Sequence, residues 1–312
     1  MNVDECVIRT LSYFDIFDYP LTFSEIKKHL CCRQEISDDE LYDSINLLSV
    51  VQEFDGFYYL LGRSKIVQMR NERYEISTSK LAKAKILSKI LSYIPTIKYI
   101  GISGSLSMNN AALSDDIDLF FITRKNTLWI TRFLVNAVLI LLRQKRKKKN
   151  KDSKDKICPN MFMDESRLTF GSAKRTLYTA HEIVQLKSVE DKYNSYQALL
   201  QKNKWIRDYL PNIKIEQVRT RRVGLVKKLL IRFIQPIEKI SYLLQKAYMR
   251  KTTGETIQMT KAAFHPIDRQ KIIMDVYSLR ANRYKKLYVD NYWVDSDEAR
   301  FYMDEKKIRI LN

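Results

Sequence analysis

The chain has 312 residues, 45% hydrophobic and 29% charged, enough to bury the cores of two or three domains. Only 7 Gly and 6 Pro argue for much helix and against an array of tight turns. The 55 Lys and Arg against 36 Asp and Glu leave a net charge of +19, which calls for an anionic partner (nucleic acid, a membrane surface or a phosphorylated substrate) beyond solubility alone. In chain order, the N-terminus MNVDECVIRT carries acidic residues where a signal peptide needs a basic start and an apolar core. Val3 to Phe14 is apolar-periodic and predicts a helix. Thr22-Phe23-Ser24-Glu25 is a capping box opening a helix from Phe23 to Leu30, and Ser37-Asp38-Asp39-Glu40 opens another through Leu48. Val50 to Phe54 and Phe57 to Leu61 flank Asp55-Gly56, a strong hairpin signal.

Three helices followed by a hairpin resemble a winged helix, here residues 1–63, a self-contained pattern. The segment is ill suited to reading DNA. Its presumed recognition helix carries Asp38, Asp39, Glu40 and Asp43 without Lys or Arg, whereas duplex binding needs phosphate-neutralising cations there. A packing or protein-contact role follows. Residues 64–94 read as a largely polar bridging helix ended by Pro95, and Thr96 to Ser103 as a strand.

The richest stretch is Ile100 to Thr123, IGISGSLSMNNAALSDDIDLFFIT. A small turn, Gly104-Ser105, follows one apolar run, and Asp116-Ile117-Asp118 leads into another. Alternate strand residues share a face, so this spacing sets two carboxylates side by side. Like charges at that distance repel unless a cation lies between them, and hard oxygen donors suit Mg²⁺.

The Gly-Ser turn, spacer and hydrophobically flanked Asp-x-Asp resemble the signature of the nucleotidyltransferase superfamily related to DNA polymerase beta. Ser114-Asp115-Asp116-Ile117-Asp118-Leu119 is similar to the SDIDL core of its small bacterial members, with one extra Asp. The resemblance covers residues 95 to 165. It implies an α/β (α+β) catalytic core with a mixed sheet over residues 95–172. It also implies that Gly104 and Ser105 cradle a nucleoside triphosphate, and that Asp116 and Asp118 ligate Mg²⁺ (or Mn²⁺). The family often has Gly and Arg just after Gly-Ser; here the spacer carries Asn109-Asn110. Many members bear a third carboxylate on a neighbouring strand. The next strand-like segment, Ile157 to Met163, offers Asn160 at that position, with Asp164 on the same face by parity as the acidic alternative. The bland alternative has Asn160 bonding backbone and Asp164 starting a turn.

Leu128 to Leu142 is the longest apolar helix candidate. At about 15 residues with Arg132 and Asn136 inside, it is short of the roughly 20 a membrane span needs and fits a helix packed behind the site. Arg143 to Lys156 holds nine basic residues against two acidic: a solvated basic loop, or a guide for a polyanion. Residues 173–312 read as mostly helical, interrupted at Pro211 and Pro236. Lys and Arg are interleaved there with Tyr193, Tyr196, Trp205, Tyr209, Tyr242 and Tyr248, a composition able to hold single-stranded nucleic acid. Gly224 to Arg250 is also a basic amphipathic helix that could lie on an anionic membrane surface.

Cys6, Cys31, Cys32 and Cys158 show no CxxC pair, adjacent Cys31-Cys32 cannot bridge one another, and His29, His181 and His265 are scattered. This fits free thiols in a reducing cytoplasm. The functional expectation is a metal-dependent transfer of a nucleoside monophosphate from an NTP to an acceptor hydroxyl, on RNA or another polyanion. The alternatives are a non-catalytic nucleic-acid-binding or membrane-surface protein that keeps the fold, and a transferase acting on a protein or small molecule.

Overall fold

Asn2 accepts the Glu5 amide and starts helix α1 (Val3–Asp15) in a computed structural model that describes residues 2–146, 154–217, 225–249, 256–263 and 269–289. Helices α2 (Phe23–Lys28) and α3 (Asp38–Leu47) each begin on a complete capping box, Thr22 with Glu25 and Ser37 with Glu40. Strands β1 (Val51–Phe54) and β2 (Phe57–Leu60) form an antiparallel hairpin. Its turn residues Asp55 and Gly56 both have positive φ, as a tight two-residue hairpin turn requires. Leu21 adds a one-residue antiparallel bridge to Tyr58.

These elements are not packed as a separate body. The Tyr13 ring stacks on His181 at 4.0 Å, and Asp15 receives Arg63 (2.6 Å) and Arg280 of helix α9 (Arg269–Val289). One continuous core joins α1 to the central sheet and α9. The 28-residue helix α4 (Lys65–Ser92) fills the predicted bridge. Its Arg70 holds Glu25 through two bonds of 2.8 and 2.9 Å.

The main sheet runs β6-β3-β4-β5-β8-β7. Its members are β3 (Ile97–Ile102), β4 (Ile117–Thr123), β5 (Ile157–Asp164), β6 (Lys187–Asp191), β7 (Thr256–Ile257) and β8 (Lys261–Ala263). Among these described strands only β4 and β5 pair in parallel, with helix α5 (Leu128–Leu141) as their crossover, so the sheet is mixed. Alternation sorts the two faces. Tyr99, Phe120, Ile122 and Met163 pack toward α1, α6 (Leu177–Val184), α7 (Ser195–Lys202) and α9. Ile100, Ile102, Leu119, Phe121 and Phe162 pack toward α4 and α5. Trp129, Val135 and Leu139 of α5 are fully buried there, so this apolar helix covers the sheet, and no helix among the described residues is long and apolar enough to cross a membrane.

Three expectations are corrected. The region after Ala173 is not only helical: β6, β7 and β8 join the sheet. Helix α8 (Leu225–Tyr248) runs on through Pro236, which removes one ladder donor without ending the helix. It docks on α5, where Glu238 accepts the Trp129 and Ile130 amides at 2.7 and 2.9 Å and so caps a helix that lacks a side-chain cap of its own. Finally, Cys6 and Cys32 form a disulfide, their Cα atoms 5.2 Å apart, leaving Cys31 and Cys158 as free thiols. Adjacency forbids a Cys31–Cys32 bridge, but α1 lies against the segment after α2 and offers Cys6 instead. Residues 147–153 of the basic loop, Arg219 to Arg222 and His265 lie outside the described residues.

His29 and His181 are buried beside Tyr13 and Phe14, and neither Nδ1 finds a partner. Burial pushes His29 down to about 3. Below its ordinary value near 6.5 the unfolded chain takes up a proton that the folded chain refuses, so stability falls as pH drops from about 6.5 toward 3. This one ring should cost about 2 kcal/mol at pH 5 relative to pH 7.5. Urea unfolding at the two pH values should show that loss in the wild type, and His29→Gln should lose correspondingly less.

Candidate metal centre

The centre is built where β3 ends and β4 begins. Ile102 pairs with Leu119, and the Ser103 amide donates to the Asp118 carbonyl at 3.0 Å, so Ser103 lies opposite Asp118. Residues opposite one another in a sheet project on the same face. Gly104 follows at φ 67° and ψ −158°, a region open essentially to glycine alone. A Cβ there would lie 3.0 Å from Asp118 Oδ2, so the glycine also makes room for that carboxylate. A short 3₁₀ turn, Ser105–Met108, then leads to Asn109 in the left-handed conformation.

The loop between the strands is tied down at several points. Asp115, the extra acid of the motif, accepts the Ser105 hydroxyl at 2.8 Å and the Ala112 amide at 2.9 Å. Asn109 and Asn110 are structural: Asn109 accepts Lys187 at 2.6 Å, and Asn110 donates to the Phe17 carbonyl at 2.9 Å while accepting Arg73 at 3.2 Å. From α4, Lys80 (3% exposed) donates to the Leu113 carbonyl (3.2 Å), the Asp115 carbonyl (2.7 Å) and Asp155 Oδ1 (2.6 Å). One buried ammonium thus fastens the motif loop to the approach of β5.

The two motif carboxylates are half-buried, and Cys158 joins them. In the parallel register Asp118 pairs with Cys158, and the ligand atoms of Asp116, Asp118 and Cys158 lie within 4.8 Å of one another. Arg146, set by its amide bond to the Ile157 carbonyl (2.9 Å), donates to Asp116 Oδ2 at 2.8 Å, with its Nη1 3.9 Å from Cys158 Sγ. Burial and then the Asp116 charge push Asp118 up to about 7. Burial and then the charges of Asp118 and Asp116 push the Cys158 thiol up. The cluster concentrates negative charge that a cation would relieve. The donor set therefore fits a divalent metal ion.

Cys158 of β5 stands beside the pair, and Asp164 lies away from it. A bulge between Leu119 and Phe120 leaves Asn160 as the unpaired extra residue of β5, buried. Asp164 pairs with Thr123, at the opposite end of the parallel strands from Asp118. It accepts the Asn126 amide at 2.6 Å and the Ser166 amide and hydroxyl at 2.8 and 2.6 Å, organising the turns there. The sequence reading also missed Ser103 and Lys80, and it placed Arg146 in the basic loop without its contact to Asp116. Only Cys158 carried a legible signal: it has the parity of Asn160 on the same strand. No family model, curated protein or solved structure matches this chain.

Proposed function

We propose that this chain is a metal-dependent nucleotidyltransferase that moves a nucleoside monophosphate from an NTP to an acceptor hydroxyl on RNA or another polyanion. One observation carries the reading. Gly104-Ser105 ends one strand beside Asp116 and Asp118 at the start of its antiparallel neighbour, with Gly104 against the Asp118 carboxylate. Phosphate-binding turn and metal-binding carboxylates are thereby adjacent, the arrangement that the motif resemblance implies. Asp116 and Asp118 would hold Mg²⁺ or Mn²⁺, which when bound supplies charge stabilisation to a transferring phosphoryl group. The chain itself positions. Gly104 admits close approach of backbone, Asp115 holds the Ser105 turn, and Lys80 fixes the loop that aims both acids. Three helices and a hairpin with a third, one-residue strand support the winged-helix likeness of the N-terminal elements. The test is incubation of the full chain with labelled NTPs, Mg²⁺ or Mn²⁺ and total RNA; metal-dependent incorporation supports the reading.

The acceptor side rests on charge placement. Nine basic residues fall within Arg143 to Lys156, while exposed Asp38, Asp39 and Glu40 head α3. RNA affinity should drop steeply with salt, since each neutralised phosphate releases counterions. Replacing Lys147, Lys148 and Lys149 by Gln should flatten that slope by about two to three. Reversing the α3 acids should not flatten it. Anisotropy titrations at several salt concentrations measure both, and these substitutions leave the shared core and the Arg146–Asp116 pair in place.

A further inference from the structure

Ser103, the residue after β3, forms one row with Asp118 of β4 and Cys158 of β5. Each is opposite its neighbour, so the three side chains share a face, and Asp116, just ahead of β4, brings its carboxylate to the same place. Three observations on this row point to a ligand. The donor atoms of Asp116, Asp118 and Cys158 converge to within 4.8 Å. Ser103 is 9% exposed and its hydroxyl has no hydrogen-bond partner, which is costly unless something polar completes it. A guanidinium already lies against the cluster, with Arg146 Nη1 2.8 Å from Asp116 Oδ2 and 3.9 Å from Cys158 Sγ. The place a cation would take is thus marked by a cation.

We propose that Cys158 is a metal ligand, and that this centre takes a borderline transition-metal ion, of the Co²⁺ or Zn²⁺ class, in preference to Mg²⁺. The inference rests on the transferase reading only for the role of Asp116 and Asp118. Sulfur decides the selectivity. Mg²⁺ demands octahedral oxygen donors, whereas a thiolate favours softer ions, and affinities rise from Mn²⁺ through Co²⁺. Metal–ligand bonds of about 2.0–2.3 Å mean that the three donors close in slightly on binding, the thiol proton passing to solvent. Arg146 holds one oxygen of Asp116, so an entering ion and this end of the basic segment compete for the charge of one carboxylate. Ser103 offers its oxygen beside Asp118, directly or through a metal-bound water.

Titrating Co²⁺ into the full-length chain tests this without reference to turnover. A thiolate-to-cobalt charge-transfer absorption should grow to saturation at one ion per chain and survive a large excess of Mg²⁺. It should vanish in Cys158→Ser and Cys158→Ala, weaken strongly in Asp118→Asn, and persist in Cys31→Ser, the control for the other free thiol. Arg146→Ala should tighten Co²⁺ binding by up to about fivefold, because a partly exposed ion pair is a weak competitor. No charge-transfer absorption in the wild type, or one unchanged by both Cys158 substitutions, overturns the proposal. The two readings fail separately. Nucleotide transfer without the cobalt–sulfur signal keeps the transferase and removes the sulfur ligand. The signal without transfer keeps the sulfur-ligated centre and removes the transferase.

Discussion

Asp118→Asn and Asp116→Asn should each lower metal-dependent nucleotide transfer by about a hundredfold or more while the protein stays folded. Asp116 immediately precedes β4 and Asp118 is its second residue, and neither supports the core: their neighbours Ile117 and Leu119 do, fully buried on the opposite face. Replacing a carboxylate by an amide keeps shape and removes the charge that holds a cation. For Asp118 the exchange also removes a half-buried charge disfavoured by burial and by Asp116. In the metal-free protein Asp118→Asn should therefore leave stability unchanged or raise it at pH 8. Steady-state transfer rates and urea unfolding of the same preparations separate the two effects. Near-wild-type turnover in both variants would remove these residues from the chemistry.

Lys80→Met should produce the largest loss of stability among the residues that shape the site, about 2–4 kcal/mol. The methylene stem is kept, but the Leu113 and Asp115 carbonyls and the Asp155 carboxylate lose their shared donor. Asp155 is part-exposed and can turn to water, which moderates the cost, whereas the loop would lose its anchor one residue before Asp116. Transfer should fall in the folded protein as well, because Asp116 is aimed by that loop. Urea unfolding measures the first effect, and turnover below the midpoint measures the second. A change under about 0.5 kcal/mol would show that the loop is held by Asp115 and Asn110 without Lys80.

Local chemistry was legible in the sequence where a few adjacent residues settle it. Thr22 with Glu25, Ser37 with Glu40 and the Asp55-Gly56 turn announced two helices and a hairpin, and each is present. The apolar runs before Gly104 and after Asp116 gave β3 and β4, and the two acids do come together, although Asp116 lies just outside the strand. What depends on distant pairing was not legible. β6 reads Lys-Ser-Val-Glu-Asp, polar enough to pass for a loop, because it is an edge strand with little to bury. β7 and β8 have two and three residues and exist only by pairing beside β5. The bulge that leaves Asn160 unpaired leaves no mark in composition, so counting along the strand reached Asp164, which the sheet pairs with Thr123, and passed over Cys158, which it pairs with Asp118. Cys6 and Cys32 are far apart in sequence, and only the packing of α1 joins them.

The most direct test of the central claim follows the label. The full-length chain is incubated with RNA, Mn²⁺ or Mg²⁺, and one NTP at a time, labelled at either the α- or the γ-phosphate. The account predicts that α-label becomes covalently bound to acceptor, that γ-label is released as pyrophosphate, and that EDTA or Asp118→Asn stops both. Transfer of the γ-label, or retention of neither label with any NTP and either metal, would contradict it.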